Sequence, residues 1–128
     1  MMAPFIPYWK QAMSIQRIEP GPRMSNAVVH GNTVYLAGQV GHEGDDVQAQ
    51  ARTALAEVDR LLAQVGSHKS RILQATIWLA DMADFAAMNP VWEAWIDPAN
   101  PPARATGEAR LASPGLKFEV IIVAALNA

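Results

Sequence analysis

The stretch that most constrains this chain is LKFEVIIVAAL, residues 116–126. Successive side chains of a strand point to opposite faces of its sheet. Read this way, Leu116, Phe118, Val120, Ile122 and Ala124 share one side, and Lys117, Glu119, Ile121, Val123 and Ala125 the other. Both sides are apolar over most of the length. A strand of this kind belongs inside a sheet that is covered twice. The chain is 128 residues long, enough for one core, and it supplies helices for only one face. The second apolar face therefore predicts burial against another copy of the chain, in an oligomer assembled through the sheet.

The remaining pattern alternates between element types. Ser14 to Ile18 reads as a short extended segment, followed by a turn at Pro20-Gly21-Pro22. MSNAVVH and TVYLAGQV flank Gly31-Asn32, a pair suited to a tight hairpin turn. Asp45 or Asp46 is placed to cap a helix whose apolar residues Val47, Ala51, Leu55, Val58, Leu62 and Val65 line one face, with Gly66 closing it. ILQATIWLA, residues 72–80, reads as a strand, and Asp81 is placed to cap a second helix carrying Phe85, Met88, Trp92 and Trp95. Pro90 predicts a kink or a restart in that helix. Two closing strands fall near residues 104–111 and 116–126. The order β-β-β-α-β-α-β-β is an α+β architecture, with two helices on one face of a mixed sheet. Residues 1–12, with Pro4, Pro7, Tyr8 and Trp9, read as an extension: a loosely attached arm, or residues upstream of a true start at Met13. Residues 13–128 form the single domain.

Composition removes several function classes. There is no cysteine, so disulfide frameworks, thiol nucleophiles and thiolate metal sites are out, and a cytoplasmic, reducing setting is the simple expectation. Apolar runs are too short to span a bilayer, so no membrane partner is expected. The net charge is −2 and the only basic knot is His68-Lys69-Ser70-Arg71, which argues against nucleic acid as a partner. His30, His42 and His68 lack metal-ligand spacing, so no metal is expected.

Two residues stand out against this background. Arg104 follows Pro101-Pro102-Ala103, a stiff lead-in that holds a guanidinium in place. Glu119 is a carboxylate on the face of the last strand expected to be shared between subunits, where an unpaired charge is costly. Together they outline a pocket for a small carboxylate-bearing molecule, with the arginine as a bidentate clamp. Read singly, each is equally well a surface or salt-bridged residue.

Five segments, GNTVYLAGQV, ARTALAEVDRLLAQVGS, ATIWLADMADFAAMNPVWEAWI, PPARAT and KFEVIIVAAL, resemble in order the signature blocks of the RidA/YjgF family, covering nearly all of residues 13–128. The wording is closest to a divergent RidA-like subgroup. The resemblance implies a chorismate-mutase-like α+β fold and a homotrimer with a central barrel-like core and three clefts between subunits. It implies hydrolysis of reactive 2-imino and 2-enamino acids to 2-oxo acids and ammonia, with no cofactor. By the same resemblance, Arg104 binds the substrate carboxylate and Glu119 positions the attacking water. Asn89 supports the site, and Gly38 and Gln39 bring backbone close to the ligand. The chain departs from the family pattern at Ala37, where a serine is usual, and at Arg23-Met24, where a tyrosine is usual. Arg23 is thereby a candidate contact for a second anionic group. A non-catalytic carboxylate-binding or regulatory trimer is the alternative reading, and an endoribonuclease or translation inhibitor, as some relatives have been described, is a third.

Overall fold

The computed structural model describes residues 14–127; the expectation for residues 1–12 lies outside them. The strands are β1 (Ile15–Pro20), β2 (Ser25–His30), β3 (Thr33–Leu36), β4 (Gln39–Val40), β5 (Ile72–Leu79), β6 (Ala103–Glu108) and β7 (Phe118–Ala125). The helices are α1 (Val47–Gln64) and α2 (Phe85–Trp95). All the strands share one sheet in the order β1-β2-β3-β7-β5-β6, with β4 also paired to β7. The β5–β6 pair, connected through α2, is parallel, and the other pairs are antiparallel. The apolar closing strand thus lies inside the sheet, as its two-sided pattern requires.

Asp46 caps α1, its Oδ1 accepting from the Ala49 N–H at 2.8 Å, and Gly66 ends the helix with a φ of 78°, a conformation that suits glycine. The buried stripe of α1, including Leu55, Val58, Leu61 and Leu62, packs against Phe118, Val120 and Ile122 of β7 and against Met88, Val91 and Trp92 of α2 in one core. Each large side chain taken wholly out of water there contributes about 1.5–3 kcal/mol. All of this lies on one face of the sheet. The other face carries Val28, Tyr35, Trp78, Ile121 and Val123, and in the isolated chain Tyr35 and Trp78 remain 47% and 36% exposed.

Three details differ from the sequence expectation. The third strand is split: Tyr35 pairs with Val123 and Gln39 with Val120, so four steps on one strand face three on the other. The extra residue bulges at Ala37-Gly38, where the backbone passes the Glu119 side chain. Asp81 caps a separate turn of 3₁₀ helix, residues 82–84, with Oδ1 accepting from the Ala83 N–H, and α2 starts after it. Of the two outcomes expected at Pro90, a restart is not found: α2 runs through the proline from Phe85 to Trp95 as one helix. The Ala87 carbonyl, near the turn that the proline ring crowds, accepts from Gln48 Nε2 of α1 at 2.8 Å.

Candidate functional site

Arg104 is the second residue of β6, at the edge of the sheet. Its parallel partner is Ala75, fully buried under the helices, so the arginine rises on the helical face. There it meets α2. Nη1 donates to Asn89 Oδ1 at 2.9 Å, and the guanidinium carbon lies 5.7 Å from the Phe85 ring centroid and 5.6 Å from that of Trp92. Phe85, Asn89 and Trp92 are spaced four and three apart, which puts them on one side of the helix. Trp92 is held in turn by Trp95, centroids 5.5 Å apart, and Trp95 Nε1 donates to Asp59 Oδ2 at 2.9 Å. Among the described residues Arg104 has no carboxylate partner; the ion pairs join Arg60 to Glu19 and Glu57. The guanidinium is therefore oriented by neutral groups, with its charge uncompensated and free to receive an anion.

Glu119 occupies the other face. It pairs with Val40 of β4 and Trp78 of β5, and Ile121 follows it on the same side. Gly38 makes its position possible, since a Cβ there would overlap the Glu119 carboxylate. Gln39 pairs with Val120, and its side chain turns back so that Nε2 donates to the Ala37 carbonyl at 3.0 Å. Gly107 plays a similar part on β6: a Cβ there would stand 2.9 Å from Cζ3 of Trp78, so the indole lies across bare backbone. Arg23 is exposed in the turn between β1 and β2. That turn is at the same end of the sheet as Gly38, because Ala27 pairs with Leu36 and the Ala37 N–H donates to the Asn26 carbonyl at 2.9 Å.

The sequence-predicted residues thus form two groups, Arg104 with Asn89 and Glu119 with Gly38 and Gln39. One chain does not bring them together. Arg104 is in the row of Ala75 and Glu119 in the row of Trp78; those two β5 residues are three apart and point to opposite faces. A groove of about 380 Å³ between the helices, lined by Gln48, Arg52, Leu55, Asp59, Pro90 and Trp95 among others, includes none of these residues. Among the described residues no cluster of three or more His, Asp or Glu side chains is gathered to hold a metal, and no helix is long and apolar enough to cross a membrane. Phe85 and Trp92, expected from the sequence only as residues of the second helix, and Trp78, part of the expected strand, were not among the predicted site residues. The four- and three-residue spacing around Asn89 was the available signal for Phe85 and Trp92.

Residues 14–126 match the family model described as endoribonuclease L-PSP. The chain belongs to the RidA/YjgF family. A RutC family protein of Haemophilus influenzae is 47% identical over 114 residues, covering 88% of this chain and 98% of the relative. A YjgF family protein of Neisseria meningitidis, known from a crystal structure, superposes with a TM-score of 0.89 at 41% identity, over 91% of this chain and 98% of its own. More distant is the rat 2-iminobutanoate/2-iminopropanoate deaminase, 27% identical over 107 residues, covering 78% of this chain and 77% of the relative. Family membership accounts for the mixed sheet with two helices on one face, which the sequence led us to expect.

Proposed function

We propose that the chain is an enamine/imine deaminase that hydrolyses 2-imino acids to 2-oxo acids and ammonia in the cytoplasm, at sites formed between the subunits of a homotrimer. The observation that carries this reading is the Arg104 cradle: a guanidinium fixed by Asn89, Phe85 and Trp92, with no carboxylate partner among the described residues. The rat relative supports the choice of substrate class by its name. The open apolar face of the sheet supports assembly, because packing it against other copies in a closed ring removes Tyr35, Ile121 and Val123 from water. Assembly also offers the way for Glu119 of one chain to face Arg104 of another, as the two cannot meet within one chain.

The chemistry asks little more of the protein than this pair. A protonated imine is already electrophilic at C2. Arg104 holds the substrate carboxylate through two parallel N–H bonds and so fixes C2. Glu119 takes a proton from a water as its oxygen bonds to C2, and returns the proton to the nitrogen of the resulting carbinolamine. The C–N bond then breaks as Glu119, again a carboxylate, takes the hydroxyl proton; the 2-oxo acid forms, and ammonia leaves with that proton as ammonium. The test is to generate imines in place with an amino-acid oxidase and to follow 2-oxo acid and ammonia release. The protein is expected to accelerate release, and Arg104→Ala to act no better than buffer. Equal rates with and without the protein, with carboxylate binding retained, would give the non-catalytic reading instead.

A further inference from the structure

We infer that Gln50, inside α1, is the positioning residue that sets where the Glu119 carboxylate stands; the inference rests on the role proposed above for Glu119. Gln50 is completely buried, one of two buried polar residues among those described. Its Nε2 donates to the Asp45 carbonyl at 2.8 Å and to the Gly115 carbonyl at 2.9 Å, and its Oε1 accepts from the Lys117 N–H at 2.7 Å. Both amide hydrogens are used. The three partners belong to two different loops, one leading from β4 into α1 and one leading into β7.

The backbone of Gln50 is a contact as well. A Cβ at Gly41 would stand 2.6 Å from Gln50 Cα and 2.7 Å from its carbonyl oxygen, so the end of β4 lies directly on this residue. The outgoing end of β4 and the incoming end of β7 are therefore held against the same residue. Glu119 is two residues past Lys117, pairs with Val40, and is pressed against Gly38. Because β4 has only two paired residues, its ladder alone is a weak brace for that spacing. The Gln50 amide supplies the missing brace. An apolar residue of the same length would take these partners from the Lys117 N–H and the Asp45 carbonyl and leave the Gly115 carbonyl with only the longer bond from the Gly44 N–H at 3.3 Å, so the tie between the two loops would be lost. The Arg104 cradle lies on β6 and α2 and uses none of these bonds.

The two halves of the site should therefore respond differently. In the oxidase-coupled assay, Gln50→Met is expected to lower kcat by about tenfold or more through misplacement of Glu119, with KM and the affinity for 2-oxobutanoate changed by less than about twofold. Gln50→Glu adds a signature that general loosening of the fold would not produce. When protonated, its carboxyl can still donate to one carbonyl and accept from Lys117, so its kcat should recover as pH falls, relative to wild type. A folded Gln50→Met protein with wild-type kcat, or with kcat and KM degraded in step, would overturn the inference. If Gln50→Met does not fold, the pH dependence of Gln50→Glu decides, and a flat ratio to wild type counts against it. If wild type itself hydrolyses no imine, the functional reading fails, and the placement of Glu119 is then read by carbon NMR of its carboxyl. At one pH the carboxyl carbon shift should differ between wild type and the charge-neutral Gln50→Met, and an unchanged shift would reject the role of Gln50.

Discussion

Replacing Gly38 with alanine changes one hydrogen for a methyl group at the closest backbone approach to Glu119. The added carbon would overlap the carboxylate oxygen and stand 2.8 Å from Cδ and 3.1 Å from Cγ. Ordinary contacts of this kind are about 3.5–4.0 Å, so the carboxylate must swing away by the order of 1 Å. The fold has an inexpensive way to allow it, because the obstacle is the far end of a rotatable side chain and Gly38 is not among the glycines of positive φ. The melting temperature should therefore change little. Catalysis has no such freedom, since a displacement of about 1 Å in an aligned site can cost about 10²-fold. The assay is oxidase-coupled 2-oxo acid release at saturating imine, alongside thermal unfolding. A kcat reduced by about 10²-fold with near-wild-type melting is expected. A folded Gly38→Ala protein with kcat within about threefold of wild type would refute the premise that this contact places the Glu119 carboxylate for the reaction.

Arg104→Lys keeps the charge but loses the planar fork and its fit between Phe85 and Trp92. Charged hydrogen bonds contribute about 1.5–3 kcal/mol, so kcat/KM should fall by roughly 10- to 150-fold, mostly through KM. Steady-state kinetics checks this, and an unchanged KM would contradict the clamp. A third expectation concerns stability and acid. Glu19 accepts from Arg60 and Asn26, which hold its carboxyl down at about 2 from an ordinary 4.5. A carboxyl whose pKa is lowered by folding stabilises above its unfolded value, so this contribution is present above about pH 4.5 and is lost as pH falls toward about 2. Melting curves across that window should show a smaller acid-induced loss for Glu19→Gln than for wild type, and equal losses would remove Glu19 from the account.

Much of the fold could be read from residues 116–126, because alternation along a strand needs no knowledge of its neighbours. The cap at Asp46 and the stop at Gly66 were legible for the same reason, as local chemistry at each end of α1. The split between β3 and β4 was not, since it depends on the bulge opposite β7 and on space left for Glu119. Asp81 carried a correct capping signal but not the length of the element it caps. At the site, Arg104, Asn89 and Glu119 were identifiable as residues, and alternation along the last strand gave Glu119 its face, but not that Arg104 rises on the opposite one. Their opposition follows from the pairing of β5 with β6 and β7, and that register is a property of the assembled sheet. Gln50 was invisible for a related reason: its partners lie 5, 65 and 67 residues away, and in the sequence it is one polar residue in a helix.

The central claim is that Arg104 of one subunit works with Glu119 of another, and mixing two inactive variants tests it most directly. Arg104→Ala and Glu119→Ala proteins, each expected to be inactive alone, would be unfolded together in equal amounts and refolded. If every site takes its arginine and its carboxylate from different chains of a ring, random assembly leaves about a quarter of the sites intact. Imine hydrolysis should then return to about a quarter of the wild-type rate. A mixture as inactive as its two parents, with mixed assembly verified by mass spectrometry, would contradict the shared site.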